Sequence, residues 1–150
     1  MSNRSLPNLP CLCGTLRRTT RALTTLYEDA LRPLGLRGTQ FTILQALSLA
    51  GEISQGRLGE ILAIDSTTLT RTLHIMLRRG WIAERHGDDR RVRLLDLAPD
   101  GRALFARALP LWEKVQDQMR RQLGDRWNDL FQLSNQVTNF VANLPHSKGE

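Results

Sequence analysis

Long apolar runs are missing from this sequence: no stretch approaches the roughly 20 apolar residues that a membrane-spanning helix requires. The N-terminal segment MSNRSLPNLP also lacks the apolar centre of a secretory signal, so the expected location is cytoplasmic, with no membrane partner. Cysteine is scarce. Cys11 and Cys13 are the only two, too close in sequence to frame a stabilising disulfide, and they read as free thiols in a reducing compartment. Neither they nor His74, His86 and His146 show a zinc spacing, so no metal site and no cofactor are expected. Lysine is nearly absent: apart from Lys114 and Lys148 the cations are arginine, whose planar guanidinium suits bidentate contact with phosphate and base edges. A glycine-rich phosphate cradle, a nucleophile elbow and a paired cysteine and histidine are also lacking, which leaves an enzyme without machinery.

What is present has the proportions of one soluble globular domain: 150 residues, 41% hydrophobic and 24% charged. The formal charge of +6 favours an acidic partner such as nucleic acid, but it is not concentrated. Residues 1–53 carry +3 (six cations, three anions), 54–97 carry +2 (eight, six) and 98–150 carry +1 (seven, six). A bulk positive field is therefore not the recognition device.

Apolar spacing divides the chain into helices and one hairpin. Leu12, Leu16, Leu23, Leu26 and Ala30 recur at helical intervals over about 11–32, before Pro33 and Gly35. A second helix is expected after Thr39 as N-cap, ending at Gly51. Ser54 opens a short third helix with Leu58, Ile61 and Leu62 on its apolar side, and Asp65 or Ser66 caps a fourth that stops at Arg78-Arg79-Gly80. WIAERH and VRLLDL then read as strands joined by the polar turn GDDRR. Pro99-Asp100-Gly101 starts a long helix that Pro110 is expected to kink, and a last helix follows Asp125 with many apolar positions before a fraying tail, HSKGE. The fold class is mainly α with a small β-hairpin wing: a winged helix-turn-helix lobe at 39–98 flanked by helices at 11–32 and 99–144, within a single domain of 1–150. The terminal helices have too little partner surface in one chain, which points to a homodimer.

The fourth helix carries the functional signal. Leu69, Leu73 and Met76 line one side, while Thr67, Arg71, His74 and Arg78 recur at i, i+4, i+7 and i+11 on another. Ser54, Ser66, Thr68 and Thr70 add short hydroxyls that let a backbone approach phosphates. The hairpin tip supplies Asp89, Arg90 and Arg91: an arginine there suits the narrow minor groove, oriented by a neighbouring aspartate. Double-stranded DNA is the expected partner, and the combination of Arg71 with Arg90 and Arg91 argues against a protein-interaction module that has lost DNA binding.

With these residues in view, SQGRLGEILAIDSTTLTRTLHIMLRRGWI resembles the helix-turn-helix of the MarR family, the winged-helix regulators named for multiple antibiotic resistance. DRRVRLLDLAPDG is similar to its wing signature, with Asp89, Arg91 and Leu97 in place and Ala98 where threonine is usual. The resemblance covers essentially the whole chain. It implies a triangular homodimer held by the first and last helices, a palindromic operator, repression more often than activation, and release by an effector between the dimerisation helices and the DNA-binding lobe. For a small aromatic or lipophilic effector it points to Arg17, Arg21, Tyr27 and Trp112. The alternative is peroxide sensing through Cys13, because the spacing from Cys13 through Leu26-Tyr27 to Leu34-Gly35-Leu36 is similar to that of the family's one-cysteine hydroperoxide sensors. In those sensors a tyrosine matching Tyr27 hydrogen-bonds the cysteine, and another tyrosine stands where this chain has Arg17.

Overall fold

A computed structural model describes residues 10–144. His146, Lys148, the tail expected to fray and all but the last residue of the segment read for a secretory signal lie outside that range. The chain falls into two compact units, Met1–Trp112 and Glu113–Glu150.

The first unit opens with α1 (Leu12–Leu31), a short 3-10 turn (Arg32–Leu34) and α2 (Gly38–Ala50). The chain reverses at Gly35, whose φ of 62° lies in the left-handed region that glycine enters without a Cβ penalty. Thr39 does not cap α2. The helix starts two residues earlier with Arg37 at the cap, because the Gln40 side chain accepts the Arg37 backbone N–H at 2.9 Å and closes the first turn there. Ser54 and Asp65 do cap the next two helices, α3 (Gln55–Leu62) and α4 (Ser66–Arg78), each accepting a backbone N–H three residues on.

Between α2 and α3 lies a strand that the sequence pattern does not announce, β1 (Ile53–Ser54). It pairs antiparallel with β3 (Arg93–Leu97), which also pairs with β2 (Ile82–His86), giving the order β1-β3-β2. Two residues are too short for any alternation to mark a strand.

The core lies where α2, α3, α4 and the sheet meet. Leu44, Leu58, Leu73, Met76 and Leu95 are fully buried, and Leu104 and Ala108 close it from the start of α5 (Pro99–Leu123). Burying each leucine is worth on the order of 1.5–3 kcal/mol, so α4 is fixed through its apolar side and its other side is left to solvent. Helix α5 continues without a break through Pro110.

The second unit holds the end of α5 and α6 (Arg126–Ala142). None of the α6 residues is buried, and Phe131, Leu133, Phe140 and Val141 are exposed, Phe140 at 67%. Among the described residues no helix is long and apolar enough to cross a membrane.

Candidate nucleic-acid interface

The turn between α3 and α4 is set by local chemistry. Ala63 takes a left-handed conformation at φ 49°, and Ile64 donates back to the Gly59 carbonyl at 3.2 Å. At Gly59 a Cβ would stand 3.3 Å from the Leu69 side chain, so glycine lets α3 lie close against α4. Asp65 then starts α4: its Oδ1 accepts the Thr68 N–H at 2.8 Å.

Hydrogen bonding from the Thr68 side chain and backbone lowers the Asp65 carboxyl from its ordinary 3.8. A carboxyl lowered by folding contributes stability that is present above the unfolded value and lost as pH falls through the folded one. Asp65→Asn keeps a capping oxygen but removes the charge. The melting temperature of the wild type is expected to exceed that of Asp65→Asn at neutral pH, and the difference is expected to shrink as pH falls below 3.8. A pH-independent difference in thermal melts would refute the charge contribution.

The polar side of α4 is assembled as the spacing predicts. Ser66, Thr67, Thr70, Arg71, His74 and Arg78 line one shallow open depression, joined by Ile75, which its place in the helical spacing had not singled out. Thr68 is instead occupied at the cap, and Ser54 at the start of α3, where its hydroxyl accepts the Arg57 N–H at 3.2 Å.

The wing is a tight hairpin in which Gly87 N–H donates to the Val92 carbonyl and Val92 N–H to that of Asp89. Asp89 Oδ1 accepts from the Arg91 backbone at 2.9 Å and from its Nε at 3.3 Å, so the aspartate orients a guanidinium whose side chain is 92% exposed. His86 Nδ1 donates to the Arg90 carbonyl at 2.8 Å, which steadies the tip backbone and leaves the Arg90 side chain outward.

Ion pairing sorts the eight arginines of residues 54–97 into two groups. Arg57 is paired with Glu60, Arg85 with Glu52 and Arg93 with Glu84, while Arg79 lies over the Trp81 ring at 4.9 Å. The Glu52 bond and charge raise the Arg85 pKa, with Asp88 adding to the effect. Among the described residues, Arg71, Arg78 and Arg90 have no acidic partner, and Arg91 is held only by Asp89 at the tip. Uncompensated positive charge is thus left on the open face of α4, and Arg90 presents an unpaired guanidinium at the wing tip.

The residues named for sensing are less convergent. Arg17 and Arg21 are exposed on α1, Tyr27 is half-buried with its hydroxyl pKa raised by burial, and Trp112 is stacked on Phe41 at 5.8 Å, which commits its indole to packing. Cys13 is an exposed free thiol with Arg17 Nη2 at 3.9 Å from its sulfur. Tyr27 lies fourteen positions further along the same helix, about 21 Å along the axis, so the two cannot bond within one chain. Among the described residues no cluster of metal-ligating side chains occurs.

The MarR family pattern matches residues 34–92. The organic hydroperoxide resistance transcriptional regulator of Bacillus subtilis is 30% identical over 138 residues, covering 91% of this chain and 90% of that one. The structure of the M. tuberculosis transcriptional regulator MosR in complex with DNA is 35% identical, with a TM-score of 0.79 over 89% of this chain and 99% of that one. The chain belongs to the MarR family. The transcriptional repressor CouR, bound to a 23-mer DNA duplex, shares the fold at a TM-score of 0.80 and 23% identity, over 89% of this chain and 99% of that one. The family consists of transcriptional regulators rather than enzymes, in keeping with a site built from cations and hydroxyls on a MarR-type lobe.

Proposed function

We propose that this chain binds a palindromic DNA duplex as a homodimer, with α4 in the major groove and the wing tip in the adjacent minor groove. The observation that carries this reading is the sorting of the arginines. Structural ion pairs neutralise those at the base of the wing and along α3, and leave Arg71, Arg78 and Arg90 uncompensated on the two surfaces that a two-groove reader presents. MosR in complex with DNA, at 35% identity, supports it. Within the α4 depression, Arg71 and His74 are the side chains with reach to base edges, and Ser66, Thr67 and Thr70 allow close approach of the backbone to phosphate. Arg90 and Arg91 serve the minor groove.

The apolar residues exposed on α6 support the dimer, since an unpartnered patch of that kind marks an interaction surface. Occupying an operator that overlaps a promoter excludes polymerase, so repression is the simplest regulatory output. Selection of bound duplexes from a random pool tests the reading. Two symmetric half-sites about 10–10.5 base pairs apart, centre to centre, are expected. Enrichment of a single unsymmetric site would reject the dimer, and no enrichment would reject DNA binding.

A further inference from the structure

We propose that Gln55 is a positioning residue that clamps the recognition helix to the root of the wing, so that both reading surfaces are held in one register. The inference rests on the DNA-binding reading above. Helix α4 leads directly into β2 at its C-terminal end, through Gly80 and Trp81. Its N-terminal half, which bears Thr67 and Arg71, is joined to the wing by a chain of polar bonds. Gln55 Nε2 donates to Thr70 Oγ1 at 3.0 Å, Arg93 Nη1 donates to Gln55 Oε1 at 3.0 Å, and Arg93 Nε donates to Glu84 Oε2 at 2.9 Å. Four elements, α4, α3, β3 and β2, are thereby connected through one amide.

The chemistry fixes the direction of this chain. Arginine only donates, so the amide oxygen must face Arg93, and the NH2 group is left for the Thr70 hydroxyl. A glutamine at this position supplies an acceptor to the wing and a donor to α4 from one rigid plane. Ser54 secures its placement by capping α3 and pairing with Leu94 in the sheet, which sets the following residue against the base of the wing. Arg93 is held from the other side by Glu84, so its guanidinium is oriented before it meets the amide.

The test uses full-length protein, a duplex enriched from the random pool by the wild type, and an unrelated duplex of equal length at the same salt. Gln55→Met keeps the side-chain length and removes both bonds. It is expected to weaken binding to the enriched duplex about tenfold, the equivalent of one to two hydrogen bonds, while affinity for the unrelated duplex stays at the wild-type level. Glu84→Gln loosens the same chain from its far end, with a smaller loss in the same direction, and keeps the proposal testable if Gln55→Met fails to fold. The double variant is expected to lose no more than Gln55→Met alone, because both act through Arg93. Wild-type affinity for the enriched duplex in both single variants overturns the clamp alone. So do additive losses, or an equal loss on both duplexes, which would mark Gln55 as an ordinary phosphate contact. Failure of the wild type to enrich any duplex overturns the DNA-binding reading and the clamp with it.

Discussion

Arg71→Ala is expected to weaken binding to the selected operator by about 1–3 kcal/mol, roughly 5- to 150-fold, while affinity for unrelated DNA changes far less. Arg71 lies in the middle of the open α4 face, five residues into the helix and within the depression that also holds Thr67 and His74. Its guanidinium has no acidic partner among the described residues, so DNA docking breaks no existing ion pair. On the proposed docking, a bidentate contact with a base edge would carry discrimination as well as affinity. The wing differs in kind. On the proposed docking, Arg90→Ala and Arg91→Ala remove cations placed at the minor groove, where the readout is degenerate and the attraction largely electrostatic. Their losses are expected to be similar on selected and unrelated duplexes. Each is expected to reduce the salt slope, since log affinity falls by about 0.9 per neutralised phosphate for each log unit of salt. Titrations of the three variants against both duplexes at several salt concentrations separate base reading from phosphate contact. Unchanged affinity in all three would reject the docking geometry.

The largest effect on stability is expected in the first turn of α5, outside the polar face of α4. At Gly101, a Cβ would stand 1.8 Å from the carbonyl oxygen of Trp81 and 2.8 Å from its carbonyl carbon. Both are backbone atoms, so no rotamer change relieves the overlap. Gly101 lies in the first turn of α5, and the same Trp81 carbonyl accepts the Ala98 N–H at 3.1 Å. This is the seam where α5 docks on the start of β2. Gly101→Ala must push the helix away by roughly 1.6 Å to bring the Cβ to an ordinary contact distance, which breaks that bond and opens the packing around Leu104. The expected cost is about 3 kcal/mol, at the upper end for overpacking, or about 6–12 °C in melting temperature for a chain of this size. Gly56→Ala is the control. Gly56 lies within α3, and nothing stands within 4 Å of the position that an alanine methyl would take, so alanine is expected to raise stability by about 0.4–1 kcal/mol. Thermal melts of the two variants in opposite directions would support the seam. Equal small shifts would refute it.

Much of the recognition lobe was legible because its signals are local. Ser54 and Asp65 cap helices through bonds that span three residues, and a 3.6-residue period suffices to place Leu69, Leu73 and Met76 on one side of α4 and Thr67, Arg71, His74 and Arg78 on another. The aspartate that orients Arg91 is two residues away. Thr39 shows the limit of such reasoning even at short range, because the Gln40 side chain moved the start of α2 to an earlier residue. The residues named for sensing were harder to place for another reason: exposure of Arg17 and stacking of Trp112 depend on which elements pack together, which helical spacing does not report.

The sequence by itself determined the order of the α-helices and the hairpin, the polar face of α4 and the charged wing tip, because periodicity, capping and turn chemistry act over a few neighbouring residues. Tertiary structure decided which of the wing-base arginines are neutralised. Formal charge places only +2 on residues 54–97, yet Arg85 finds Glu52 thirty-three residues away and Arg93 finds Gln55 thirty-eight residues away. Those partners meet because β1 closes the sheet against β3, a two-residue pairing without a local signature. Packing likewise separates two glycines that look alike in the chain, Gly56 in open space and Gly101 against a backbone carbonyl. Charge and sterics act through space, and only the packed fold sets those distances.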